Sequence, residues 1–97
     1  MKTSELTGAQ LDWAVAKCEL GADAEQAGDW WKPSTNWAQG GPIIEREKIS
    51  IEWTGEDWMT YIRHDEECFG PTPLIAAMRC FVASKMGDNI DIPEEMK

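Results

Sequence analysis

Residues 43–64, IIEREKISIEWTGEDWMTYIRH, decide how the rest of this chain is read. From Ile43 to Trp53 β-branched residues recur. Ile49, Ile51 and Trp53 fall on one face of an extended chain and Lys48, Ser50 and Glu52 on the other. Thr54-Gly55-Glu56-Asp57 supplies a turn. Trp58 to His64 then alternates again, with Trp58, Thr60 and Ile62 opposing Met59, Tyr61 and Arg63. The two runs predict an antiparallel hairpin over 43–64, the nucleus of a small sheet. In that reading Glu45 and Glu47 share one face of the first strand.

Working outward, each flank of the hairpin reads as a helix. Upstream, Thr7 and Gln10 have capping-box spacing and Leu6 and Leu11 the spacing of a hydrophobic staple. Leu11, Ala14, Val15 and Cys18 recur at helical intervals and Gly21 can close the element, so a helix is predicted over 8–20. Downstream, Asp65-Glu66-Glu67 reads as a solvated connection. Thr72 followed by Pro73 is a strong helix start, because proline at the first helical position gives up no hydrogen bond. Leu74, Ile75, Met78, Phe81 and Val82 form an apolar stripe and Gly87 can end it, which predicts a helix over 73–86. Ile90-Asp91-Ile92 could add a short strand before Pro93, with 93–97 frayed. Between Gly21 and Gly41 the periodicity disappears. This stretch, with Trp30, Trp31 and Trp37, reads as a long ordered loop holding one helical turn capped by Asn36 or Ser34.

The expectation is an α+β fold in one domain over 1–97, two helices packed on one face of a small antiparallel sheet with a long Trp-rich loop. Its expected core is Leu11, Val15, Ile49, Ile51, Trp53, Leu74, Met78, Phe81 and Val82. A chain of 97 residues, 42% hydrophobic, can fill one modest core but not two. Its net charge of -9, from 18 acidic and 9 basic side chains, argues against a nucleic-acid binder, because phosphate neutralisation needs clustered Lys and Arg. Cys18, Cys68 and Cys80 show neither a complete disulfide framework nor C-x-x-C spacing. No apolar run approaches a membrane span, and Met1-Lys2-Thr3-Ser4-Glu5 lacks the apolar stretch of a signal peptide. Cytoplasmic residence is the expectation.

Catalysis would draw most easily on His64 with Asp65, Glu66, Glu67 and Cys68, but a zinc site needs at least three suitable ligands and no second His-containing pair exists. Cys18 and Cys80 sit in apolar helical patterns as core fillers, and Glu45 with Glu47 is a pairing common on exposed strands. There is no Walker loop, dinucleotide fingerprint or nucleophile elbow. No catalytic residue, metal or cofactor is therefore assigned. Two features suit binding better. The amino end of the 73–86 helix offers free N–H groups to an anion, and the Trp-rich loop offers aromatic faces for stacking. A cleft lined by Trp37, Gln39, Gly40, Gly41, Arg46 and Thr72 is the candidate ligand site, with Trp37 stacking, Arg46 countering negative charge and Thr72 at the anion.

LTGAQLDWAVAK at 6–17, WAQGGPIIERE within 34–49 and GPTPLIAAMRCFVASKMGD at 70–88 resemble the NinX-like family of small bacteriophage and prophage proteins. The resemblance implies phage or prophage origin and expression in a bacterial cytoplasm, and it carries over no catalytic residues. The function expected is that of a non-enzymatic phage accessory protein binding a host protein or a small anionic ligand such as a nucleotide. The alternative is an acidic DNA mimic that occupies the site of a host nucleic-acid-binding protein. A ligand binder needs a concave site joining Trp37, Arg46 and Thr72, whereas a mimic needs regularly spaced exposed carboxylates. Small size favours a homo-oligomer. No direct nucleic-acid or membrane partner is expected.

Overall fold

The computed structural model describes residues 1–63 and 66–96. It is an α+β fold of three α-helices and a three-stranded antiparallel sheet. In chain order the elements are α1 (Gly8–Leu20), α2 (Trp37–Glu47), β1 (Ile49–Trp53), β2 (Trp58–Ile62), β3 (Cys68–Gly70) and α3 (Pro73–Met86). Short 3-10 segments cover Thr3–Glu5, Gly21–Ala27 and Glu94–Met96.

The hairpin forms in the register set by alternation, Ile49 opposite Ile62, Ile51 opposite Thr60 and Trp53 opposite Trp58. Its turn is closed by the Thr54 hydroxyl, which donates to Asp57 Oδ1 at 2.8 Å and accepts from the Asp57 amide at 3.1 Å. The first strand is shorter than expected, because 43–47 belongs to α2. The Asn36 side chain accepts from the Ala38 amide and starts that helix, and Lys48, left-handed at φ 56, stops it. Gly40, Ile43, Ile44 and Glu47 stand at helical spacing, and the first two are buried. Pro42 lies inside the helix but on its exposed side. The expected long loop is thus corrected: a 3-10 segment and turns fill its first half, and α2 begins at Trp37.

The third strand had no counterpart in the alternation pattern, since β3 is only three residues long. It pairs with β2, Met59 opposite Phe69, so β1 and β3 are the sheet edges. At 90–92 the expected strand gives way to a single bridge between Lys2 and Asn89, with Ile90 and Ile92 buried. The capping box at α1 is not made. Thr7 makes no side-chain cap bond, and Gln10 donates to the Met96 carbonyl at 2.7 Å. Leu6 and Leu11 are both fully buried, as a staple requires.

α3 lies on the sheet and touches all three strands, α1 and α2. Its buried side chains Leu74, Met78, Phe81 and Val82 join Leu6, Leu11, Val15, Ile43, Ile49, Ile90 and Ile92 in the main core. Thr60, fully buried on β2, donates to the Ala76 carbonyl of α3 at 2.8 Å. Trp53, expected in the core, is 58% exposed and meets Trp58 in a tilted ring pair with centroids 5.2 Å apart. Asp12 is buried at 8% exposure and accepts the Ser34 amide at 2.9 Å, fastening the segment before α2 to α1.

Two glycines that look alike in the sequence differ in the fold. A Cβ on Gly40 would lie 2.6 Å from Leu74 Cδ1 and also strike the Pro33 carbonyl, whereas one on Gly41 meets nothing within 4 Å. Gly40→Ala is therefore expected to destabilise by about 1–3 kcal/mol through overpacking. Gly41→Ala should stabilise by about 0.5–1 kcal/mol, because alanine loses less chain entropy in a helix. Urea melts of the two variants read the opposite signs, and equal shifts would contradict this packing. Asp12 gives a second check. Desolvation raises its pKa above 3.8, against the hydrogen bonds from Ser34 and the charge of Lys32. The folded state therefore holds this proton more tightly. The group's stabilising contribution is complete below the unfolded pKa and is lost as pH rises through the folded one. Asp12→Asn, which keeps an acceptor but removes the charge, should gain Tm over the parent as pH rises from about 4 to about 7. Asp12→Ala, which leaves the Ser34 amide without its acceptor, should cost about 1–3 kcal/mol.

Candidate functional site

The six residues of the expected cleft take separate local roles. Trp37, 54% exposed, opens α2. Gln39 pins the preceding loop: its Oε1 accepts from the Lys32 amide at 2.6 Å and its Nε2 donates to the Trp30 carbonyl at 2.8 Å. Gly40 is buried against Leu74, and Gly41 is half-buried on the same helix. The Thr72 hydroxyl caps α3 by accepting from the Ile75 amide at 3.1 Å. Contact of Gly40 with Leu74 brings the start of α2 beside the start of α3. Arg46, however, belongs to the last turn of α2 and lies over Phe81, 5.6 Å from the ring centroid. Phe81 is nine residues beyond Thr72, about 14 Å along a helix. Arg46 and Thr72 therefore stand at opposite ends of the α2–α3 pair and not over one region of the sheet.

The charge of Arg46 is also answered within the protein. Its guanidinium binds Glu19 through two nitrogens, and its Nε donates to Glu47 Oε2 at 2.8 Å. The hydrogen bond to Glu19, then that to Glu47, raises the guanidinium's pKa above its ordinary value. Glu47 in turn is held below the usual carboxylate range by Arg46, and Lys85 lies 3.4 Å away. Glu45 and Glu47 are two positions apart on a helix and point to different sides, so they form no facing pair. His64 and Asp65 lie outside the described residues. Among the described residues no three His, Cys, Asp or Glu side chains converge as a metal site, and no helix is long and apolar enough to cross a membrane.

The structure instead shows a groove along the edge strand β3. It encloses about 1080 Å³. The amino-terminal residues Lys2, Thr3 and Ser4 border it, held by the Thr3 amide on the Asp88 carbonyl at 2.8 Å and the Thr3 hydroxyl on the Gly87 carbonyl at 2.7 Å. The hairpin turn contributes Glu56 and Asp57, the approach to β3 Glu66 and Glu67, and α3 Arg79, Cys80, Ala83 and Ser84. Ile62, Pro71 and Phe69, the last 44% exposed, contribute to its apolar surface.

Arg79 interrupts the apolar run of α3 and is half-buried. Its Nε donates to the Leu6 carbonyl at 2.9 Å and its Nη1 to the Phe69 carbonyl at 2.8 Å. Burial lowers the guanidinium's pKa from its ordinary value. One arginine thus ties α3 to the chain before α1 and to the edge strand, and covers part of that edge. Five carboxylates, Glu56, Asp57, Glu66, Glu67 and Asp88, line the groove against two cations, Lys2 and Arg79. Sequence reasoning missed this site because its walls come from segments scattered between residues 2 and 89. The one available signal was the arginine among the apolar residues of the 73–86 helix.

A family model described as Bacteriophage P22, NinX matches residues 2–85. No match is found among curated proteins. The family match takes in α1, α2, the whole sheet and nearly all of α3, and with them most of the groove. The chain belongs to the family of the bacteriophage P22 protein NinX.

Proposed function

We propose that this NinX-family protein is a non-enzymatic phage accessory protein of the bacterial cytoplasm that binds a basic segment of a host protein in the groove beside β3. The observation that carries this reading is the charge of the groove, five carboxylates facing two cations, one of which is turned onto main-chain carbonyls. The whole chain adds a background of -9. An exposed ion pair contributes only about 0.2–1 kcal/mol, so recognition needs several such pairs together with an apolar anchor. Phe69 and Pro71 offer that anchor. The long-range field would chiefly speed encounter and select against acidic partners.

A small anionic ligand fits less well, because the cation expected to receive it, Arg46, is already engaged by Glu19 and Glu47. Occupation of a DNA-binding surface by mimicry shares the acidic character but does not call for a concave site. With Arg79 covering the Phe69 carbonyl, side-chain contacts rather than strand addition would dominate the binding mode.

The test titrates the protein with an arginine- and lysine-rich decapeptide and with a panel of nucleotides, at low salt and at about 0.15 M. The peptide should bind, weaken with salt, and lose about tenfold or more in affinity when Glu66, Glu67 and Asp88 are replaced together by Lys at unchanged Tm. Nucleotide binding by the parent, or peptide affinity indifferent to the replacements, would overturn the reading.

A further inference from the structure

The wall of the groove holds a pair of thiols. Cys68 on β3 and Cys80 on α3 both line the groove, close enough for their thiols to influence one another. Cys80 is only 3% exposed, while Cys68 is half-buried and meets the groove first. The fold brings them together by a close backbone approach: a Cβ on Gly70, two residues after Cys68, would sit 2.7 Å from the Ala76 amide nitrogen of α3. Thr60, the cross-strand partner of Cys68, also reaches the Ala76 carbonyl. Strand and helix are thus locked with Cys68 and Cys80 in the same wall of the groove. Arg79 lines the same wall, with its Nη1 on the Phe69 carbonyl next to Cys68. The third thiol, Cys18, belongs to α1 and does not line the groove.

We propose that Cys68 and Cys80 are a redox-active dithiol, a modification site that a hydroperoxide converts to an intramolecular disulfide joining β3 to α3. The chemistry balances in two steps. The Cys68 thiolate attacks the outer peroxide oxygen, the O–O bond breaks, and an alcohol, or water from hydrogen peroxide, leaves with a proton while Cys68 becomes a sulfenic acid. Cys80 sulfur then attacks Cys68 sulfur, the S–O bond breaks and water leaves. Two thiols lose two electrons and two protons, and the peroxide is reduced by two electrons. Interaction with the Cys80 thiol, then burial, pushes the Cys68 thiol well above the ordinary range. The pair therefore stays protonated and slow at neutral pH and quickens in alkali. This role does not depend on what occupies the groove.

The full chain treated with hydrogen peroxide, alkylated and weighed intact decides the matter. The expected product is lighter by about 2 Da before alkylation and retains one alkylatable thiol, Cys18, with a Cys68–Cys80 linked peptide after proteolysis. Its rate of formation should rise about a hundredfold between about pH 7 and about pH 9, tenfold per unit while the thiol pKa lies above both. Cys68→Ser and Cys80→Ser should abolish the mass loss and Cys18→Ser should keep it. Peptide mapping of the parent chain stands on its own if Cys80→Ser fails to fold. Sulfinic acid at Cys68 with Cys80 still free, a bridge through Cys18, or disulfide-linked dimers would overturn the assignment.

Discussion

The rest of the structure depends on how closely α3 can approach its neighbours. Its buried surface combines large residues, Leu74, Met78 and Phe81, with small ones, Ala76 and Ala77. The small residues let β3 come nearly to backbone contact at Gly70, and Leu74 fills the space that Gly40 leaves open on α2. Close packing of this kind tolerates little added volume, so the positions of two helices and one strand are set by where Cβ atoms are missing. The Thr60 hydroxyl on the Ala76 carbonyl then fixes the sheet along the helix, with its polar group satisfied inside the core.

The groove follows from that arrangement. Once β3 lies against α3, residues 79, 80, 83 and 84 emerge beside the strand's free edge and form one wall. The other side is built from the chain's two ends. Thr3 holds Gly87 and Asp88, while Met1 and Ile90 exchange main-chain bonds at 3.1 and 2.9 Å. Arg79 joins the parts, because its two main-chain acceptors belong to segments 63 residues apart, Leu6 and Phe69. Its partners are carbonyls, so the guanidinium leaves the carboxylates of the groove unpaired with it and the cavity keeps its acidic character.

Charge is handled differently on the far side of α3. There Arg46, Glu19, Glu47 and Lys85 form a connected surface set over Phe81, with both cations near the ring. These exposed pairs contribute little stability individually. They do link the ends of α1, α2 and α3, and they remove Arg46 from consideration as an anion receptor.

The sequence by itself determined the hairpin register, α1, α3 and the greater part of the core, because each rests on a local period of two or 3.6 with capping or turn residues at its ends. Three of its blocks also resembled the family that the chain proved to match. Only the tertiary structure decided α2. WAQGGPIIERE combines two glycines, a proline and β-branched residues that disfavour a helix locally. Contact of Gly40 with Leu74, burial of Ile43 and the Asn36 cap override that preference. The same holds for β3, too short to show alternation, and for the groove and the Cys68–Cys80 contact. Those unite residues 12 to more than 80 positions apart, and no local pattern carries a separation that only packing against α3 brings to contact distance.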